Sequence, residues 1–167
     1  MSSPAIHEDN MDTLIFQIGG QRYGLPAPDV RELFRAVTIT AVPSGPALLE
    51  GVIDLRGLVV PVFDLRARLG LPPKSVEVAD HLIVVEMQGR SMVLRADQAL
   101  EMATITEGEI GYVGDVVPGL GSSIKVAKRP EGLVLLLDLE TLVSPRELAT
   151  IEENLSSRWP PAGEEAS

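Results

Sequence analysis

The sequence predicts a mainly β chain folded as two small barrels packed against one another, and three observations carry that reading. Hydrophobic residues make up 45% of the 167 residues but aromatic ones only 4%, so the core must come from Val, Leu, Ile and Ala, a composition rich in the β-branched side chains that suit strands. Short apolar runs of strand length alternate with glycine turns, most plainly in Gly51-Val-Ile-Asp-Leu-Arg-Gly57-Leu-Val-Val-Pro61-Val-Phe-Asp64-Leu. The chain also repeats itself. Leu14–Leu25 aligns with Ile83–Leu94, apolar on apolar and Gly20 on Gly89, at a constant offset of 69.

The elements follow in order. Leu14 to Leu25 reads as a β-hairpin turning at Gly19-Gly20, and Val30-Arg-Glu32-Leu33 as the next strand. Pro43-Ser44-Gly45-Pro46 interrupts regular structure. Val52–Leu55 and Leu58–Phe63 form a strand pair about Gly57, and Gly70 to Lys74, with Pro72-Pro73, connects the halves. Ile83 to Leu94 is the second hairpin, turning at Gln88-Gly89, and Ala99-Leu-Glu101-Met102 repeats Val30–Leu33. Gly132-Leu133-Val134 and Asp138-Leu139 echo Gly57-Leu58-Val59 and Asp64-Leu65 at offsets of 74 to 75.

Ser144-Pro145-Arg146-Glu147 carries a capping box with proline at the first helical position, so a helix is expected over 145–159 with Leu148, Ile151 and Leu155 on one face. Residues 1–12 read as a flexible leader, 13–72 as the first barrel, 73–144 as the second and 160–167 as a tail. A unit of about 70 residues is marginal alone, so the two are expected to share a core. Spacing leaves open whether strands exchange between them.

Charge and residue counts exclude several functions. The net charge of −10 opposes phosphate backbones, so no nucleic acid partner is expected. There is no cysteine, which removes disulfides, thiolate metal sites and cysteine nucleophiles and fits a reducing cytoplasm. The first ten residues lack a basic start and an apolar stretch, so no export signal is expected, and runs such as Leu133–Leu137 are too short to cross a bilayer of about 30 Å.

Catalytic and metal chemistry find little support. The two histidines, His7 and His81, have no second ligand at metal spacing. Gly119-Leu-Gly121-Ser-Ser-Ile-Lys125 lacks the glycine–lysine order and the following helix of a phosphate loop, so a turn is expected. Asp54, Asp64 and Asp138 could form a carboxylate set, but Asp64-Leu65 and Asp138-Leu139 recur after apolar strands, where a carboxylate caps a short helix. No cofactor is expected, and the chain is read as nonenzymatic.

The run from Gly51 to Leu65 is similar to the hallmark Gly-Val-x-Asn-Leu-Arg-Gly-x-x-x-Pro-Val-x-Asp-Leu of the CheW family, coupling proteins of bacterial chemosensory arrays, with Asp54 in place of the asparagine. The likeness extends through Val30–Leu33, Val42-Pro43 with Pro46, Asp97 and Leu133–Leu142, covering roughly 13–145. The resemblance implies two five-stranded, SH3-like barrels with an apolar layer between them. It implies an adaptor linking the cytoplasmic tip of a methyl-accepting chemoreceptor to the regulatory domain of a CheA-like histidine kinase.

Arg56 closes the first strand of this motif, where the side chain either pairs with a neighbouring acid or stands free as a fixed cation. By resemblance it belongs to the receptor-binding groove together with Val30 and Glu32. Leu33 and Leu58 are read as core. Kinase-binding residues are not assigned. Two departures stand out: the segment from Ile110 to Val116 is shorter than in relatives, which predicts weak extension into rings, and Arg95 puts a charge in a strand expected to be apolar, with no account from sequence. Two rival readings are a stand-alone peptide-binding barrel and an enzyme using Asp54 with Asp64. The first needs exposed aromatics, yet Phe16, Tyr23 and Phe63 fall in strands and Phe34 at a strand edge.

Overall fold

The computed structural model describes residues 10–43, 45–114 and 123–159. Eleven strands are assigned among them: β1 (Asn10–Ile18), β2 (Gln21–Pro26), β3 (Val30–Arg35), β4 (Leu49–Leu55), β5 (Leu58–Asp64), β6 (His81–Met87), β7 (Arg90–Ala96), β8 (Gln98–Thr106), β9 (Ile110–Gly114), β10 (Ser123–Arg129) and β11 (Gly132–Leu136). Three helices accompany them: α1 (Leu65–Leu69), α2 (Leu139–Leu142) and α3 (Pro145–Arg158). His7, residues 1–9, the Gly119-Leu-Gly121 turn, part of the short 110–116 segment and the 160–167 tail lie outside the described residues.

The hairpins form where glycine licenses them. Gly19-Gly20, Arg56-Gly57 and Gln88-Gly89 all have both central φ angles between 52° and 89°, the two-residue turn whose twist matches antiparallel strands. Among the described residues, Arg56 and Gln88 are the non-glycine residues held at positive φ.

One sheet runs β8-β1-β2-β11-β10-β9 and the other β3-β6-β7-β5-β4. In the first, β8 and β9 are one run of chain interrupted by a single 3-10 turn at Glu107–Glu109, so the six strands are five passes that bend round a corner toward closure. In the second, Thr40 bridges Val52 and returns the chain after β3 to the β4 edge. These are the two five-pass units expected.

The contiguous ranges 13–72 and 73–144 do not correspond to the sheets. The β1-β2 hairpin pairs with β8 and, in parallel, with β11, while the β6-β7 hairpin pairs with β3 and, in parallel, with β5. Each repeat lends its hairpin to the other. Both hairpins are near-copies of one pattern, so either satisfies the same sheet position and the offset of 69 is the same with or without exchange. The leader is also shorter than expected, because Asn10–Asp12 already pair with Thr106–Thr104 and Thr104 Oγ1 donates to Asp12 Oδ1 at 2.9 Å.

Strand alternation divides the apolar side chains into three layers. Leu14, Phe16 and Ile18 of β1 and Ile83, Val85 and Met87 of β6 face a shared central cluster with Phe63, Leu94, Leu139 and Leu148. Ile15, Ile105, Ala127 and Val134 fill one barrel, and Ile53, Val60, Val62, Leu82, Val84 and Val93 the other. Helix α3 adds Leu148, Ile151 and Leu155 to the central layer. It starts as its capping box dictates: Glu147 N donates to Ser144 Oγ at 3.1 Å, and Ser144 N donates to Glu147 Oε1 at 3.0 Å.

Two arginines pin the connection between the repeats. Arg95 is only 3% exposed; its guanidinium donates to Glu50 at 2.7 Å, to Asp80 at 3.0 Å and to the Lys74 carbonyl at 2.7 Å, with Asp64 at 3.5 Å. Arg66 donates to the Pro72 carbonyl at 3.1 Å and to both Asp97 oxygens at 2.8 and 3.0 Å. Asp97 in turn accepts from Gly19 N at 2.9 Å. The charge in β7 that the sequence left unexplained is therefore the hub of a buried clamp.

Gly51 marks where the barrel built on β3-β6-β7-β5-β4 closes. A Cβ there would press into the Thr40 carbonyl and lie 2.7 Å from Ile39 Cγ2, while Thr40 exchanges backbone hydrogen bonds of 2.8 and 2.9 Å with Val52. Gly51→Ala is expected to cost about 1–3 kcal/mol in urea unfolding through overpacking. Gly108→Ala, where nothing lies within 4 Å, should change stability by no more than about 0.5 kcal/mol.

Candidate docking surface

The motif residues converge where the β4–β5 turn meets β3. Asp54 Oδ1 accepts from Gly57 N at 2.7 Å, which fixes the turn and holds Arg56 at φ 52°. From there Arg56 reaches across to Glu32 on β3: Nη1 donates to Oε1 at 3.2 Å and Nη2 closes an ion pair with Oε2. The Arg56 side chain remains 71% exposed. Such a pair contributes about 0–1 kcal/mol to folding, so its position matters more for what it offers a partner.

Of the three residues assigned by resemblance, the structure brings Glu32 and Arg56 together. Val30 sits two positions earlier, half-buried against the central layer. Leu33 and Leu58 are not core, contrary to expectation: they are 42% and 54% exposed. β3 alternates, with Val30, Glu32 and Phe34 half-buried and Arg31, Leu33 and Arg35 exposed, and Leu58 is the first residue after the turn. The period-two pattern alone would have placed Leu33 outward. Next to it, Arg31 Nε donates to Glu86 Oε1 at 2.9 Å, so β3 presents a second exposed ion pair.

The other candidate groups are occupied. Asp64 and Asp138 cap α1 and α2, accepting from Arg66 N at 3.0 Å and Glu140 N at 3.2 Å, as expected from the sequence. With Asp54 committed to its turn, Asp54 and Asp64 form no acid–base pair. His81 Nδ1 accepts from Ala99 N at 3.2 Å. Among the described residues, no group of three or more His, Asp or Glu side chains is arranged to hold a metal, and no helix is long and apolar enough to cross a membrane. Phe16, Phe63 and Tyr23 are buried. Exposed Tyr112 and Trp159 line separate clefts and build no aromatic groove.

Two barrels sharing a core, a hairpin turn that displays an arginine, and carboxylates spent on caps and clamps define a protein that works through surfaces. Comparison with known proteins places it. The CheW-like domain model matches residues 12–147. A probable chemotaxis protein CheW of Rhizobium etli is 32% identical over 149 residues, covering 86% of this chain and 94% of that protein. Chemotaxis protein CheW of Klebsiella aerogenes is 26% identical, covering 83% and 85%. The crystal structure of the scaffolding protein TtCheW from Thermoanaerobacter tengcongensis superposes with a TM-score of 0.71 at 28% identity, over 82% of this chain and 94% of that one. The chain belongs to the CheW-like domain family and is an adaptor of the chemotaxis type.

Proposed function

We propose that this chain couples the cytoplasmic tip of a methyl-accepting chemoreceptor to the regulatory domain of a CheA-like histidine kinase. It acts by geometry, in the cytoplasm at receptor arrays, with no cofactor and no reaction of its own. Val30, Glu32 and Arg56 belong to the receptor side, and by the family resemblance the first barrel, which holds β3, β4 and β5 of the first repeat, packs end to end against the kinase domain. The observation that carries this reading is the Glu32–Arg56 pair, which fixes the motif's arginine while leaving its side chain 71% exposed. A fixed, exposed arginine with exposed Leu58 two positions on suits the helical hairpin of a receptor. A partner bound this way alters kinase output only as far as it favours one kinase state over another.

Capture of a purified receptor hairpin, measured beside capture of a purified kinase regulatory domain, tests the division of surfaces. Arg56→Ala is expected to weaken receptor capture about tenfold or more, a change of about 1.4 kcal/mol, while kinase capture and melting temperature stay unchanged. Unaltered receptor capture, or equal loss of both partners, would remove the assignment.

The stand-alone peptide-binding barrel has less support, because Phe16, Tyr23 and Phe63 are spent on the core.

A further inference from the structure

A second surface lies away from the Glu32–Arg56 pair and shares no residue with it. Between α1, the first half of α3 and the segment entering β4 is an open cleft of about 580 Å³, walled by Pro46, Ala47, Leu48, Ala67 and Ile151. Its floor is apolar because Leu48 and Ile151 close the central layer beneath it, while Ala47 and Ala67 are exposed and too small to fill the space.

The rim carries Arg68, Arg146 and one carboxylate, Glu147, a net positive charge in a chain of net charge −10. Arg68 and Arg146 both line the cleft; Arg68 donates to Glu147 at 3.0 Å, and Arg146 has no carboxylate partner among the described residues. Arg146 is also the second residue of α3, where the helix dipole disfavours a positive charge. A cation held against the local field, unpaired and beside an apolar hollow, marks a site kept for something other than stability.

We infer that this cleft docks an acidic amphipathic helix of a partner protein, with apolar side chains seated over Ala47, Ala67 and Ile151 and carboxylates facing Arg146 and Arg68. Charge selects the partner's sign. Backbone satisfaction selects its form: Leu48 O accepts from Asp64 N at 2.8 Å and Pro46 O from Leu49 N at 3.0 Å, so the wall offers no open strand edge to an extended peptide. Because Glu32 and Arg56 are elsewhere, a helix bound here leaves the receptor surface free, and the adaptor accepts a third partner.

The full chain, titrated with a synthetic helix of about 14 residues carrying leucines at i, i+3, i+4 and i+7 and glutamates elsewhere, tests this directly. Saturable binding is expected, with methyl NMR shifts at Ala47, Ala67 and Ile151. Arg146→Glu should weaken binding about tenfold or more at an equal or higher melting temperature, since an acid in the first turn suits the helix dipole. Ala67→Trp should block the cleft, and Arg56→Ala should leave binding unchanged, which separates this surface from the receptor assignment. Four results overturn it: equal binding of a lysine-for-glutamate peptide, equal binding of phosphatidylglycerol vesicles, shifts centred on Leu33 and Leu58, or cleft protection through self-association seen by sedimentation.

Discussion

Arg95→Met is expected to destabilise the protein by about 3–5 kcal/mol in urea unfolding, the penalty typical of breaking a buried ion pair from one side. The substitution keeps most of the volume but leaves Glu50, Asp64 and Asp80 facing one another, and it strips the Lys74 carbonyl of its donor. Burial already pushes the Glu50 carboxyl above its ordinary 4.5, with Asp64 and Asp80 pushing the same way and Arg95 opposing. A carboxyl raised in the folded state stabilises most when protonated, so its contribution is full below the ordinary value and lost as pH rises through the raised one. Without Arg95 the rise is larger. The deficit of the variant should therefore be greatest at neutral pH and shrink toward pH 4–5, and adding Glu50→Gln and Asp80→Asn should recover most of it. Proteolysis should also find the 70–80 connection sooner in Arg95→Met than in the native chain. A loss below about 1 kcal/mol, or no pH dependence, would show that the clamp is incidental.

Asp97 has the opposite sign. Burial raises its carboxyl, but the Gly19 amide, Arg66 and Lys74 outweigh that and hold it below the usual aspartate range. Its contribution is present above the ordinary value and fades as pH falls through the lowered one. The two arginine clusters thus bracket the same connection with carboxylates that respond to acid in opposite directions.

What the sequence discloses is what is encoded locally. The turns at Gly19-Gly20 and Gln88-Gly89, the caps Asp64, Asp138 and Ser144, and the start of α3 each depend on residues no more than three positions apart. The family motif likewise contains its own turn, and Asp54 to Gly57 explains why the arginine is displayed. The meaning of Arg95 was not legible, because Glu50 stands 45 positions away and Asp80 15. Nor was the acid that pairs with Arg56, since Glu32 lies on another strand and 24 positions back. Leu33 was legible and misread: a leucine in a strand suggests core, but the residues two positions to either side, Arg31 and Arg35, are charged and mark its face as the exposed one.

Separated halves supply the test of the hairpin exchange. Residues 10–72 contain β1 to β5 and residues 73–159 contain β6 to β11, so cutting the connection removes β6-β7 from the sheet of β3, β4 and β5, and β1-β2 from the sheet of β8 to β11. Each fragment then has unpaired strand edges and half of the central layer, in which Phe16, Ile18 and Leu25 come from one half and Ile83, Met92 and Leu94 from the other. Neither fragment is expected to show cooperative unfolding alone, since a unit of this size without its partner buries too little surface. Mixed at equal amounts, they should assemble into a one-to-one complex with the dispersed methyl spectrum of the intact chain. A half that folds cooperatively by itself would mean that its own hairpin turns back into its own sheet, which the repeated pattern permits and the parallel pairs β2–β11 and β5–β7 forbid in the native fold. The Arg95 clamp makes the same demand from the opposite side. Its donor sits on β7 and two of its acceptors, Glu50 and Asp64, on β4 and β5, so complex formation should weaken sharply when the second fragment carries Arg95→Met.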